Sequence, residues 1–466
     1  MSGMEKVAGL RPRILRAATS EELDLAIAAL GVRGKMERTD VVATVQGILD
    51  DVRAHGDAAL CTYTARFDKV TVGAVDLRVT PAEFEAAFEA VDPDLLAVME
   101  RAAANILAFH ERQRETGFET ESSPGARVGV RVTPLATAGI YVPGGTAPLP
   151  SSVLMNAIPA KAAGVDRLVM CTPPRIDGSV APVILAAARL AGVDEVYRVG
   201  GAQAVAAMAY GTATVPRVDK ICGPGNLWVN TAKRLVYGQV DIDMFAGPSE
   251  ILIVADSTAV PAFVAADLLS QAEHDVLSSA IVVTTDAALA ERVADETARR
   301  AALLPRLAIL ERSLADYAGI VVVPDLAAAV DFANRLAPEH LELCVADPDA
   351  LLPLFRNAGA IFVGPYSPEP LGDYYAGPNH VLPTSGTARF FSPLSTQDFQ
   401  KRTSVLRYTR EALERSASDI AAFADAEGLA AHADAIRVRF GTDRARRPER
   451  PDGPASAPGP SGEARP

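Results

Sequence analysis

The chain has 466 residues, 49% of them hydrophobic and 22% charged, which is enough apolar material for two or three folding units. Its formal net charge is −13, and an acidic surface of this kind repels phosphates and anionic headgroups, which argues against nucleic acid and membranes as partners. Four separated cysteines exclude a thiolate zinc site and a disulfide framework, and the absence of a long apolar stretch or signal-peptide core predicts a cytoplasmic protein.

The N-terminal part of the chain is predicted to be helical. Residues 1–35 are mixed, helix-prone sequence, typical of an arm rather than a domain. In residues 41–52 and 81–114, apolar side chains recur at three- and four-residue spacing, which predicts two amphipathic helices.

Residues 138–238 predict a parallel α/β unit. Four short β-branched runs each end in a turn of small residues or proline, and a helix-like run follows each turn. This repetition favours right-handed βαβ crossovers, and in such sheets ligands bind where strands end and helices begin. The helix over 151–163 is predicted to open with a serine cap. The predicted strands are 140–142, 167–171, 195–199 and 218–222, and the predicted helices are 151–163, 180–191, 202–210 and 227–237.

A second strand-and-helix series follows, so two α/β units are expected. A helical pattern then resumes over 395–440, and the proline-rich residues 447–466 predict a disordered tail. The predicted strands of the second series are 251–254, 280–284, 320–323 and 360–363, and its predicted helices are 261–274, 287–301 and 326–336.

The glycine turns do not by themselves identify a ligand. None matches G-x-G-x-x-G, because Trp228 stands where the third glycine would follow Gly223 and Gly225, so a dinucleotide site is not derivable from that fingerprint. Cys222, beside these glycines at a predicted strand end, is interpreted as a small buried apolar residue rather than a nucleophile.

Four of the six histidines lie close to Asp, Glu or Gln. Histidine is the commonest metal ligand and suits proton transfer near neutral pH. Gln271 and His274 are three apart at a helix end and can converge on one ion, although this spacing also fits an exposed helix end. Asp373 lies in a turn-rich loop, where a carboxylate usually caps the chain. Glu427 and His432 are five apart, about 140° around a helix, and also fit two surface residues.

Glu339 and His340 are adjacent, so their side chains are expected to point in different directions. This arrangement suits two separate proton-transfer tasks better than one shared ion. A glutamate at a helix terminus followed by a buried histidine is the alternative interpretation.

Several long strings in a fixed order carry a family resemblance: GIYVPGGTAPLPSSVLMNAIPAKAAGV (139–165), GGAQAVAAMAYGT (200–212), SQAEHD (270–275), NRLAPEHLEL (334–343), LGDYYAGPNHVLPTSGTARF (371–390) and AEGLAAHADAIRVR (426–439). From about residue 139 to 439 the chain closely resembles the histidinol dehydrogenase family. The first 130 residues match less distinctively, and the proline-rich tail lies outside the family pattern.

The pattern and the resemblance together predict two incomplete Rossmann-like α/β domains with parallel sheets, a helical N-terminal arm and a helical, swapped C-terminal extension. The expected segments are the arm (1–35), a discontinuous domain carrying the metal and catalytic residues (36–138 and 249–393), an NAD-contacting domain (139–248), a helical dimerisation segment (394–446) and the tail (447–466).

The resemblance also implies the chemistry. The family oxidises L-histidinol to L-histidine through a bound aldehyde in two NAD-dependent steps, the last step of histidine biosynthesis. A homodimer is implied, with Glu427 and His432 supplied by the second subunit. The residues matching the family's site are the zinc ligands Gln271, His274, Asp373 and His432, the acid/base pair Glu339 and His340, the NAD contacts Tyr141, Gln203 and Asn226, and the substrate contacts Ser249, Gln271, His274, His340, Asp373, His380, Glu427 and His432.

Simple chemistry assigns these groups their tasks. An alcohol releases hydride as its hydroxyl loses a proton, and His340 suits the role of acceptor. The aldehyde must be hydrated before the second oxidation, and Glu339 is the candidate for activating the water. Two imidazoles and two oxygen ligands suit zinc, with manganese and cobalt left open by ligand type. The alternatives are a dehydrogenase of another small polar alcohol, a zinc hydrolase and a metal-stapled interaction module.

Overall fold

The computed structural model describes residues 9–31, 39–144, 148–245 and 247–441, and the predicted tail 447–466 lies outside them. The chain divides into two compact units. Unit 1 comprises Met1–Glu115 and Thr133–Lys401, and unit 2 comprises Thr116–Val132 and Arg402–Pro466.

Unit 1 contains a five-stranded sheet in which all neighbouring strands are parallel. The spatial order is β6-β5-β4-β7-β8, which is 3-2-1-4-5 in chain order, as in doubly wound dinucleotide-binding folds. The strand order reverses between β4 and β7, so a crevice is expected at the carboxyl ends of those two strands. The strands are β4 (Thr137–Tyr141), β5 (Arg167–Cys171), β6 (Glu195–Tyr197), β7 (Lys220–Cys222) and β8 (Asp241–Ile242).

Eight helices pack against this sheet: α2 (Thr39–His55), α3 (Asp57–Phe67), α4 (Pro81–Ala90), α5 (Pro93–Glu111), α6 (Pro150–Ala163), α7 (Pro182–Leu190), α8 (Gly201–Tyr210) and α9 (Leu227–Val236). Helices α4 to α7 share a core with the face that carries Ile140, and α2, α3, α8 and α9 share a core with the face that carries Tyr141. Helices α2 to α5 therefore belong with this sheet, whereas the sequence assigned residues 36–138 to the other domain. An amphipathic stripe shows that a helix is buried on one side but does not identify the surface that covers it.

A second sheet of unit 1 has six parallel strands in the order β1-β11-β10-β9-β12-β13. Apart from β1, its strands repeat the 3-2-1-4-5 order of the first sheet, which confirms the prediction of two parallel α/β units. The strands are β1 (Arg13–Arg16), β9 (Glu250–Ala255), β10 (Ser279–Thr284), β11 (Ala318–Val322), β12 (His340–Cys344) and β13 (Ala360–Val363).

Helices cover both faces of the six-stranded sheet. Their bounds are α1 (Ser20–Gly31), α10 (Pro261–Ala272), α11 (Ala287–Ala301), α12 (Leu307–Tyr317), α13 (Leu326–Leu336), α14 (Pro348–Leu351) and α15 (Glu369–Tyr374). The N-terminal segment is therefore not only a helical arm, because β1 pairs with β11 at the sheet edge before α1 begins.

Two helix predictions need correction at their ends. The single helix expected over 81–114 is two helices, because Pro93 begins α5 and Asp92 caps it by accepting from the Asp94 amide. The serine cap expected for residues 151–163 is wrong. Helix α6 begins at Pro150 with Leu149 in the cap position and no side-chain cap. Pro150 removes one of the free first-turn amides, and the Ser152 amide donates to the Leu149 carbonyl at 3.1 Å.

Unit 2 contains a three-stranded sheet, β14-β3-β2, and a helical pair. Strand β14 corrects the prediction of a continuous helical pattern over 395–440. The elements are β2 (Phe118–Ser123), β3 (Ala126–Pro134), β14 (Gln400–Tyr408), α16 (Arg410–Ala426) and α17 (Ala430–Arg437). Within the ranges given above, no helix is long and apolar enough to span a bilayer.

Candidate active site

A cavity of about 1130 Å³ opens at the carboxyl edge of the five-stranded sheet, and the three predicted NAD contacts Tyr141, Gln203 and Asn226 all line it. The Gly201 amide donates to the Tyr141 hydroxyl at 3.2 Å. Gln203 is 1% exposed, and its carboxamide nitrogen and oxygen have no hydrogen-bond partner in the part of the chain that the structure describes. A buried amide without partners is costly, so this side chain fits a polar ligand in the cavity.

The β7–α9 turn of the cavity requires glycine. Gly223 has φ +116°, and a Cβ there would lie 2.1 Å from the carbonyl oxygen of Tyr141. The close approach of these two backbones brings the turn against the end of β4. Asn226 then caps α9 by accepting from the Trp228 and Val229 amides, each at 3.1 Å.

The buried Lys233–Asp243 ion pair stabilises the β7–α9 turn. The Lys233 ammonium donates to the Gly223 carbonyl at 3.0 Å, and the Gly223 amide donates to Asp243 Oδ2 at 2.7 Å. Lys233 and Asp243 also pair with each other, with both side chains out of contact with solvent. Both polar groups of the Gly223 backbone are therefore fixed by charged partners.

Replacing Lys233 with methionine is expected to lower the free energy of unfolding by about 3–5 kcal/mol, because Asp243 would remain buried without a cation. Lys161→Met is the matched control. Its ion pair with Asp194 is partly exposed, so the expected loss is below about 1 kcal/mol. Denaturant unfolding measures both, and equal losses would contradict the role given to the Lys233–Asp243 pair.

A second polar centre lies at the amino edge of the six-stranded sheet, where β9 and β12 begin. One ligand atom from each of His274, Glu369 and Asp373 lies within 4.8 Å of the others. Gln271, one turn before His274, is fully buried, and both atoms of its carboxamide lack a partner among the described residues. Converging imidazole and carboxylate ligands, with a buried, unpartnered amide one turn away along the chain, fit a divalent cation such as zinc.

His340 begins β12 and faces this centre. Its Nδ1 lies 2.9 Å from the Glu250 carbonyl oxygen, which can only accept, so Nδ1 carries the proton and Nε2 carries the lone pair. No described atom hydrogen-bonds to Nε2, which lies 3.9 Å from Asp373 Oδ1. Burial lowers the pKa of His340 to about 4, so the imidazole is neutral at pH 7.

Glu339 lies at a bend just before β12 and is 5% exposed. Its Oε2 accepts from the Glu250 amide at 2.8 Å and lies 3.7 Å from His340 Nδ1, closer than adjacent positions led us to expect. The Glu339 and His340 side chains both hydrogen-bond to the backbone of Glu250. These contacts link the start of β12 to the start of β9. Burial, and next the charge of Glu250, raise the pKa of Glu339 well above its ordinary value.

His380 and Ser249 also lie in unit 1. His380 Nδ1 donates to the Asp373 carbonyl at 3.0 Å, and burial lowers the pKa of His380 to about 4. Ser249 precedes β9, and its carbonyl accepts from the Ser279 amide at 3.0 Å. Glu427 and His432 belong to unit 2, at the end of α16 and in α17, and both are exposed.

Glu369 was not among the residues predicted from the sequence. Its Oε2 accepts from the Ser270 hydroxyl at 3.0 Å, while its Oε1 has no partner in the ranges described. Burial, and then the charge of Asp373, raise the pKa of Glu369 to about 8. The available signal was its position four residues before Asp373, which places both carboxylates on one side of a helical turn.

Comparison with known proteins identifies the family. The histidinol dehydrogenase profile matches residues 32–440. The chain is 54% identical to the histidinol dehydrogenase of Heliobacterium mobile over 405 residues, 87% of this chain and 95% of that protein. It is 53% identical to the Bacillus subtilis enzyme of the same name over 396 residues, 85% and 92% of the two chains.

A solved structure of similar length agrees with this result. The crystal structure of histidinol dehydrogenase from Elizabethkingia anophelis superposes with a TM-score of 0.87 at 37% sequence identity, covering 92% of this chain and 98% of that one. The chain therefore belongs to the histidinol dehydrogenase family of oxidoreductases.

Proposed function

We propose that this chain oxidises L-histidinol to L-histidine through bound L-histidinaldehyde, with two NAD and a zinc ion, as the last step of histidine biosynthesis. The observation that carries the proposal is the centre at the amino edge of the six-stranded sheet. There the ligand atoms of His274 and Asp373 lie within 4.8 Å of each other, and His340 Nε2, which has no hydrogen-bond partner among the described residues, lies 3.9 Å from Asp373 Oδ1. Metal ligands beside a proton acceptor suit oxidation of an alcohol.

The proposed metal ligands are Gln271, His274 and Asp373, with His432 from a second copy of the chain. The fit rests on the unpartnered carboxamide of Gln271 and on the ligand atoms of His274, Glu369 and Asp373, which lie within 4.8 Å of one another. When bound, the ion supplies a fixed positive charge that holds the nitrogen atoms of an amino alcohol in place. Ser249, His380 and Glu427 are proposed to complete the contacts to that substrate.

The proposed NAD contacts are Tyr141, Gln203 and Asn226, which line the cavity at the other sheet. When bound, NAD supplies the acceptor for the hydride that leaves the substrate carbon. The chain's own contribution is orientation. The Gly201 amide fixes the Tyr141 hydroxyl, and the Lys233–Asp243 pair fixes the turn that carries Asn226.

His340 is proposed to accept the proton of the substrate hydroxyl at Nε2. The hydrogen bond from Nδ1 to the Glu250 carbonyl keeps the lone pair on Nε2 and holds the ring in place. Because the imidazole is already neutral at pH 7, no proton must leave it before it can act. A positioned base of this kind contributes about 10²–10⁴-fold to the rate.

Glu339 is proposed to activate the water that hydrates the aldehyde. Burial raises the pKa of Glu339, so its ionised form is a stronger proton acceptor than an exposed carboxylate. The amide of Glu250 donates to Glu339 Oε2 and orients the side chain.

Glu339→Gln is expected to slow the aldehyde step by about 10²-fold or more and the alcohol step much less. Glutamine keeps the shape and can still accept from the Glu250 amide, but it cannot take a proton from water. Separate single-turnover measurements with histidinol and with histidinaldehyde test this. Equal losses in the two half-reactions would contradict the division of tasks between Glu339 and His340.

The active form is proposed to be a homodimer with shared sites, as the family resemblance implies, with the exposed residues Glu427 and His432 supplied by the second chain. Mixing inactive His340→Asn chains with inactive His432→Asn chains, with subunit exchange verified, is expected to recover about a quarter of the wild-type activity. Half of the dimers would be mixed, and each mixed dimer would hold one intact site. No recovery would show that each site uses a single chain.

The direct test of the substrate is NADH formation at low substrate concentration. Histidinol should be oxidised, and small amino alcohols without an imidazole should not be. Equal oxidation of those alcohols would contradict the proposal.

The four cysteines are free thiols, which fits the reducing compartment of the proposed cytoplasmic location.

A further inference from the structure

Asp68 has a carboxylate that no interaction within the described structure explains. Asp68 is the C-terminal capping residue of α3, directly after Phe67. It lines the same cavity as Tyr141, Gln203 and Asn226. Its Oδ2 is buried and has no hydrogen-bond partner among the described residues. Burial raises the pKa of Asp68 to about 6, which still leaves the group mainly ionised at pH 7.5. An ionised, buried oxygen without a donor fits a site completed by a ligand that donates.

The strand topology indicates which donor this is. In doubly wound folds a carboxylate near the end of the second strand accepts from the 2′-hydroxyl of the adenosine ribose. The second strand of the five-stranded sheet is β5, and the residues that follow it are Thr172, Pro173 and Pro174, none of which is acidic. The residues directly after the strand therefore supply no ribose carboxylate, and the first acidic residue beyond them is Asp177.

Asp68 and Asp177 supply the two carboxylates among the lining residues described for this cavity. Asp177 is already engaged, because its Oδ1 accepts from both the amide and the hydroxyl of Ser179, at 3.0 and 2.6 Å. Asp68 has no such partner for its buried oxygen. It also lies close enough to the phenol of Tyr141 for its charge to act on that hydroxyl.

We propose that Asp68, provided by α3 rather than by the sheet, accepts from the 2′-hydroxyl of the adenosine ribose and thereby selects NAD over NADP. This inference rests on the proposed NAD site and adds the residue that discriminates between the two cofactors. A 2′-phosphate would meet a carboxylate of like charge and would remove the hydroxyl that donates to it.

The test measures cofactor binding without turnover. Trp228 is the one tryptophan in the sequence, and it lines the cavity, so energy transfer from Trp228 to bound NADH or NADPH reports occupancy directly. In Asp68→Asn, the dissociation constant of NADH is expected to rise about tenfold, and the preference for NADH over NADPH is expected to fall by at least about tenfold. Asp166→Asn is the matched control, because Asp166 is exposed and does not line the cavity, and it should change both constants by less than about twofold.

Three outcomes decide the question. Binding of NADH to the wild type with a loss of preference in Asp68→Asn alone supports the assignment. If NADH binds the wild type but both constants are unchanged in Asp68→Asn, the role of Asp68 is overturned and the NAD site is left intact. Equal changes in Asp68→Asn and Asp166→Asn have the same meaning. No energy transfer in the wild type overturns the NAD site itself. Thermal melting verifies that the variants fold. If Asp68→Asn does not fold, Asp68→Ser, which also removes the charge, takes its place.

Discussion

Replacement of His340 by asparagine is expected to lower kcat for histidinol oxidation by about 10²–10⁴-fold. Asparagine can still donate a hydrogen bond to the Glu250 carbonyl, but it offers no basic nitrogen to the substrate hydroxyl. The KM for NAD should change little, because Tyr141, Gln203 and Asn226 lie at the other sheet. Steady-state kinetics with both substrates varied gives kcat and KM separately.

Two controls separate lost chemistry from lost structure. His55→Asn removes an exposed histidine paired with Asp51, and this variant should keep wild-type kinetics. Thermal melting of His340→Asn shows whether the replacement unfolds the protein. A folded His340→Asn variant with near wild-type kcat would contradict proton acceptance at Nε2.

Removal of the divalent ion is expected to abolish turnover, while far-UV circular dichroism stays near that of the loaded protein. Gln271 lies in the last turn of α10, His274 lies just after that helix ends, and Asp373 lies on α15, so the sheet and its cores do not depend on the ion. Without the ion, the buried Glu369 and the partly buried Asp373 lie together without a cation, and the melting temperature should fall.

Incubation with a chelator, followed by metal analysis of the protein, gives the test. The same chelator saturated with zinc beforehand is the control for side effects, and added zinc should restore the rate. Full activity in a sample verified to be free of metal would remove the ion from the proposed function.

The elements that the sequence predicts best are those with strong local signals. Strands β5 and β13 and helices α11 and α13 match their predicted bounds, because β-branched runs and an amphipathic period mark them clearly. Strand β12 was missed, since HLELC fits a strand and a helix equally well. Strand β14 is mostly exposed. Its sequence therefore lacks the alternation of buried apolar and exposed polar residues that would distinguish it from the helical pattern that follows.

The site was predicted by resemblance more than by local pattern. Glu250, His274, His340 and Asp373 come from four separate segments, and only the sheet order brings β9 and β12 together at one edge. Asp68 was missed because nothing in its sequence neighbourhood marks a ligand contact. The packing of α3 on the face that carries Tyr141 places it at the cavity.

The most direct test of the proposed chemistry is the ratio of NADH formed to histidine formed in one closed reaction with histidinol. An ion site, a proton acceptor and a dinucleotide cavity acting on one retained substrate predict two NADH for each histidine, with no aldehyde released. One NADH for each histidinol consumed, with aldehyde free in solution, would contradict the account.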